Sequence, residues 1–185
     1  MRKTGEDLAK CALLEKWNKL KYDECDCQNF VELVIKELGI RKPDGSVYNW
    51  RGANSMYRNY YTFRGTIDEC IAKYGCLPVG AFVYVWTPTG QELVGYYDDL
   101  GNCKHVGLFC GDNIVRDSTR STKTHRDGVG SRTLDGFTHC SLFSGVDYNI
   151  TNSYNSSEED IKKLLSSMQK NLDELGVKVS ELFRG

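Results

Sequence analysis

Pro78-Val79-Gly80-Ala81-Phe82-Val83-Tyr84-Val85-Trp86 is the stretch at which the chain changes its period. Upstream, apolar residues recur at helical spacing, whereas residues 81–86 join β-branched and aromatic side chains in the composition of a strand. Further strands are predicted over 105–110, 114–118 and 140–146. Gly111-Asp112-Asn113 supplies a tight turn between the second and third of the four. Residues 87–104 read as a long hairpin excursion and residues 119–138 as a polar loop.

Working upstream, Thr66 and Glu69 form a capping-box pattern for a short helix that ends before Gly75. Residues 41–65, rich in Asn, Arg, Tyr and Gly, read as an irregular aromatic loop with a short helix near 53–60. The clearest helix starts at Asp26, a good N-cap. Phe30, Val31, Val34, Ile35 and Leu38 line one of its faces, and Gly39 stands where a stop belongs. Another helix is predicted over 5–20 from Leu8, Cys11, Ala12, Leu14 and Trp17. Helices first and an antiparallel sheet afterwards define an α+β domain, with the N-terminal helices packed on the sheet.

Downstream, residues 149–157 form a polar linker without apolar period, which closes a domain over 1–148. In 158–185, Ile161, Leu165, Met168, Leu172, Leu175, Val179 and Leu182 alternate steps of four and three, the seam of a coiled coil. Gly176 costs this helix about 1 kcal/mol relative to Ala, so it needs a partner. Either a second copy, making a homo-oligomer through 158–185, or the chain's own domain would meet that need.

A length of 185 residues with 40% apolar content closes one ordinary core. The net charge of −1 gives no field to attract nucleic acid or anionic lipid. No apolar run approaches the roughly 20 residues of a membrane helix, and residues 1–7 do not open a secretory signal; the expectation is synthesis in the cytoplasm without membrane insertion. Among the eight cysteines, Cys25 and Cys27 are separated by one residue and Cys70 and Cys76 by five. Neither spacing is that of a zinc knuckle, so reduced thiols are expected, with no metal and no cofactor.

Cys27 stands at the first turn of a helix, where unpaired N–H groups and the macrodipole favour a thiolate. His105 opens a strand and supplies a base within reach of a helix packed across the sheet. A third group must accept the other imidazole N–H, and Asp117 on the next strand can do so. Arg116 cannot, since a guanidinium has no acceptor. Cys25 is the rival nucleophile, but it precedes the N-cap.

These residues carry a resemblance. Asp26-Cys27-Gln28-Asn29-Phe30-Val31 resembles the Asp-Cys-Ser-Gly-Phe-Val of the NlpC-type cell-wall cysteine peptidases, a papain-like group that includes phage and prophage lysins. His105-Val106-Gly107-Leu108-Phe109-Cys110-Gly111 is similar to the family's His-Val-Gly-Ile-Tyr-x-Gly, and Leu77-Pro78-Val79-Gly80-Ala81-Phe82 to the segment before it. The resemblance spans roughly residues 5–148. It departs at Gln28-Asn29, which replace Ser-Gly, and upstream of the cysteine, where only Tyr22 remains of a longer aromatic motif.

What the resemblance implies is a papain-like domain hydrolysing peptidoglycan stem peptides, often beside a γ-linked D-glutamate. Cys27, His105 and Asp117 would be catalytic, and Tyr22, Asp26 and Gln28 would border the substrate. Asp117 falls at the third position without gaps, and a one-residue slip would bring Arg116 there instead. A lysin of this type would act at the bacterial cell wall after release from the cytoplasm. An amidase or acyltransferase using the same Cys–His pair, and an inactive wall-binding module, are the alternative readings.

Overall fold

The protein's structure, a computed structural model, describes residues 2–88, 98–121, 126–148, 165–167 and 169. The chain divides after Tyr148 into two compact units, 1–148 and 149–185.

The first unit opens with α1 (Gly5–Ala12), started by a reciprocal capping box: Thr4 Oγ1 accepts from Asp7 N–H at 3.1 Å, and Asp7 Oδ2 from Thr4 N–H at 2.9 Å. The helix expected over 5–20 is not continuous. It stops at Leu13, and Glu15–Lys19 make a 3-10 turn. Tertiary donors take the carbonyls a further helical turn would need: Trp17 Nε1 donates to Cys11 O at 2.7 Å and Arg116 Nε to Ala12 O at 3.1 Å.

Helix α2 (Cys27–Glu37) forms where its signals place it. Asp26 caps it by accepting from Asn29 N–H at 2.8 Å, and Phe30, Val31, Val34 and Ile35 are buried. At its end, Gly39 takes φ +69°, while Ile40 N–H reaches Ile35 O and Gly39 N–H reaches Lys36 O, the paired bonds of a Schellman stop. Within the stretch expected to be irregular, α3 (Gly52–Arg58) is the short helix foreseen there. Strand β1 (Tyr61–Thr66) was not foreseen. Helix α4 (Ile67–Tyr74) carries the Thr66/Glu69 capping box and ends at Gly75 with φ +80°.

Strands β2 (Phe82–Thr87), β3 (Asn102–Phe109), β4 (Ile114–Ser121), β5 (Arg126–Thr133) and β6 (His139–Phe143) complete a six-stranded antiparallel sheet in the order β1-β6-β2-β3-β4-β5. The turn at 111–113 joins β3 to β4, Ile114 N–H returning to Gly111 O at 2.8 Å. Strand β5 corrects the expected polar loop over 119–138. It has almost no apolar alternation, and it forms because its backbone pairs with β4 along its whole length while Val129 N–H reaches Leu20 O at 3.1 Å. The last strand ends at Phe143 rather than 146.

One apolar core joins Leu8, Ala12 and Trp17 with Phe30, Val31 and Val34, and with Phe82, Tyr84, Val106, Leu108 and Phe143 on the sheet. The architecture is thus α+β, a few helices on an antiparallel sheet. Of the C-terminal seam only Leu165 is among the described residues; it is exposed and helical, and the rest of the predicted coiled coil lies outside them. Among the described residues no helix is long and apolar enough to cross a membrane.

Candidate active site

Cys27 is the first residue of α2 and is largely buried, 8% exposed. The helix packs against β3 and β4. Its approach is pinned by Ser118 of β4, whose hydroxyl donates to Cys25 O. None of the eight cysteines is in a disulfide. Burial, followed by the charges of Asp26, Cys27 and Glu24, pushes Cys25 up to about 11, so this 1% exposed rival stays protonated at neutral pH.

Strands β3 and β4 bring His105 and Asp117 together. His105 Nε2 lies 2.6 Å from Asp117 Oδ2, with the imidazole 14% exposed and the carboxylate fully buried. Nδ1 has no hydrogen bond among the described residues and is the nitrogen left to exchange a proton with another group. His105 pairs with Val85 next to a bulge, because β3 has one residue more than β2 before the Trp86–Cys103 pair. Bulges re-aim neighbouring side chains and turn a strand end.

Asp117 is also bound from β5. Arg126 Nη2 contacts Oδ1, and Arg132 Nε lies 3.0 Å from Oδ2 in ion-pair contact outside hydrogen-bond alignment. Burial pushes the carboxyl up, but the hydrogen bond and charge of His105, then the charges of Arg126 and Arg132, outweigh it and hold the group below its ordinary value. Phe137 closes one side, its ring centroid 6.1 Å from that of His105 and 4.3 Å from the Arg132 guanidinium.

The remaining predicted residues take more local roles. Asp26 is the helix cap. Gln28 is buried, its Oε1 accepting from Gly52 N–H at 3.1 Å and its Nε2 donating to Asn29 Oδ1 at 3.4 Å, so its amide anchors the start of α3 beside the first turn of α2. Half-buried Tyr22 lies under the guanidinium of Arg120 at 5.3 Å. Arg116 is not the third group: its guanidinium donates to Ala12 O, Asn18 Oδ1 and Ser131 Oγ. His125 lies outside the described residues, and His139 stacks on Trp86 at 4.2 Å.

Arg126, Arg132 and Phe137 went unnoticed in the sequence because the segment lacks apolar period. The available signal was the alternation Arg126-x-Gly128-x-Gly130-x-Arg132. A cavity of about 430 Å3 flanks α2 and is lined by Glu32, Leu33, Lys36, Ile40 and Tyr48, but not by Cys27, His105 or Asp117. Among the described residues no three His, Cys, Asp or Glu side chains are grouped to hold a metal. In comparisons with protein-family models, curated proteins and solved structures, nothing matches this chain.

Proposed function

We propose that this chain is a papain-like, NlpC-type cysteine peptidase that hydrolyses peptidoglycan stem peptides, with Cys27 as nucleophile and His105 as its base. The observation that carries the reading is the buried 2.6 Å bond from His105 Nε2 to Asp117. It ties up one ring nitrogen, fixes the plane of the imidazole and leaves Nδ1 for the thiol at the start of α2.

In this mechanism His105 Nδ1 takes the Cys27 proton and the thiolate attacks a peptide carbonyl. The oxyanion is met by N–H groups at the helix start. The imidazolium then protonates the leaving amine as the C–N bond breaks. Water, deprotonated by His105, splits the resulting thioester and frees the acid and the thiol. The stem-peptide substrate and action at the cell wall after release rest on the resemblance in residues 26–31 and 105–111. The proposal extends to a C-terminal coiled coil that links copies of the enzyme and raises avidity for a polymeric substrate. Sedimentation of the full chain and of a form ending at 157 tests that part: a monomer in both overturns it.

The experiment is mass spectrometry of purified peptidoglycan from several wall types after incubation with the protein and with Cys27→Ala. New stem-peptide fragments are expected with the intact thiol only, the variant losing about 10³-fold or more of the rate. The masses separate a peptide cut from release of the whole stem by an amidase. Fragments at equal rates from the variant, or none from any wall, overturn the reading. Alkylation of Cys27 by iodoacetamide tests the pair itself: a rate and pH profile unchanged in His105→Ala would remove His105 as base.

A further inference from the structure

Charge around Asp117 does not balance. Two guanidinium groups and an imidazole converge on one carboxylate with no exposure to water, while the arginine side chains are 18% and 23% exposed. Neighbouring acids are committed elsewhere: Asp127 lies 3.8 Å from Arg120, and Asp135 accepts from Thr133 Oγ1 at 2.7 Å.

The crowding has been given room by two glycines. Asp117 pairs across β5 with Gly130, where an added Cβ would lie 2.5 Å from Arg126 Cδ and 2.9 Å from Nη1; Arg126 lies flat over the glycine to reach the carboxylate. On β3, an added Cβ at Gly107 would lie 3.2 Å from Asp117 Cβ and 2.5 Å from Val115 Cγ1. Arg126 is held further by Nη1 donating to Ser131 O at 3.0 Å, and Arg132 by Phe137. Neither guanidinium is a loose surface charge that happens to drift near an acid.

We infer that Arg126 and Arg132 are positioning residues that offset the charge of Asp117 as His105 feels it, while Asp117 still orients the imidazole. A lone carboxylate at hydrogen-bond distance favours the imidazolium, and the two cations behind it disfavour the same state. Among the described residues, the charged groups about the ring are Asp117 from β4 and Arg126 and Arg132 from β5. Lys104, next to His105 on β3, is exposed, the loop before β6 contributes uncharged Phe137, and α2 contributes the proposed partner thiol of Cys27. The inference deepens the proposed function and rests on His105 as its base, because it names the residues that set the charge facing that base.

The test is an NMR titration of the His105 ring in the full chain, assigned through His105→Asn. Removing one cation should favour the protonated ring, so Arg132→Met should raise its midpoint by about one pH unit. Arg132→Lys should return it towards the native value. Arg132→Gln, which keeps a planar amide donor but no charge, serves where the Met variant does not fold, and should behave like Met. In each variant the acid limb of Cys27 alkylation should move with the ring, since His105 accepts the thiol proton only when it is itself unprotonated. A native midpoint in folded Arg132→Met or Arg132→Gln, or a midpoint raised equally in Arg132→Lys, overturns the inference. The titration needs no substrate, so its result is independent of whether peptidoglycan is cut.

Discussion

Along β3, Val106 and Leu108 are fully buried among the helices, while His105 and Gly107, one residue away, serve a carboxylate. Along β4 the same interleaving recurs: Ser118 ties the start of α2, and Asp117 next to it gathers His105, Arg126 and Arg132. The two sets differ in what keeps them folded. Apolar side chains are held by non-directional burial, in which each contact adds a little and a lost neighbour leaves a cavity. A buried carboxylate is tolerated only when its partners are all in place, so the charged set stands or falls as a unit.

The sharpest way to break this contrast is Asp117→Ala, which leaves the two guanidiniums facing each other and the imidazole without its acceptor. We expect a loss of about 3–5 kcal/mol in urea unfolding; a change below about 1 kcal/mol would mean that the cluster is dispensable to the fold. Leu108→Ala probes the apolar set and should cost about 2–4 kcal/mol, with the His105 titration unmoved. A shifted titration there would show that the two sets are mechanically coupled.

Acid sharpens the comparison without a cavity. Because the Asp117 carboxyl is held below its ordinary 3.8 in the folded chain, its contribution is complete above the unfolded value and is lost as pH falls through the folded one. Asp117→Asn should therefore show a shallower loss of stability below about pH 4 than the native chain; equal acid slopes would contradict the charged reading of the cluster. The smallest expected effect is Asp26→Ala, which removes the cap of α2 and should cost about 1 kcal/mol. Slower alkylation of Cys27 in that variant would show that the capped first turn also conditions the thiol.

Legibility followed the same division. Helix α2 could be read whole because cap, apolar face and stop are all local, and the capping box of α4 and the turn at 111–113 were equally plain. His105 and Asp117 were found through strand order and turn length, which place them on adjacent strands. Strand β5 could not be read, since its residues bury little and its ladder depends on β4 already being there. The break after Ala12 was hidden for a related reason: the donors that end α1 come from Trp17 and Arg116, the latter more than 100 residues away.

By itself, then, the sequence determined the helices with local caps, the change to strands at Pro78, the helix-start position of Cys27 and the pairing of His105 with Asp117. Tertiary structure alone decided strands β1 and β5, the partners of Gln28 and Arg116, and the two arginines that share Asp117. The physical reason is range. Capping, turn geometry and apolar periodicity act within a few residues, whereas the state of a buried charge is set by whatever distant side chains the finished sheet brings beside it.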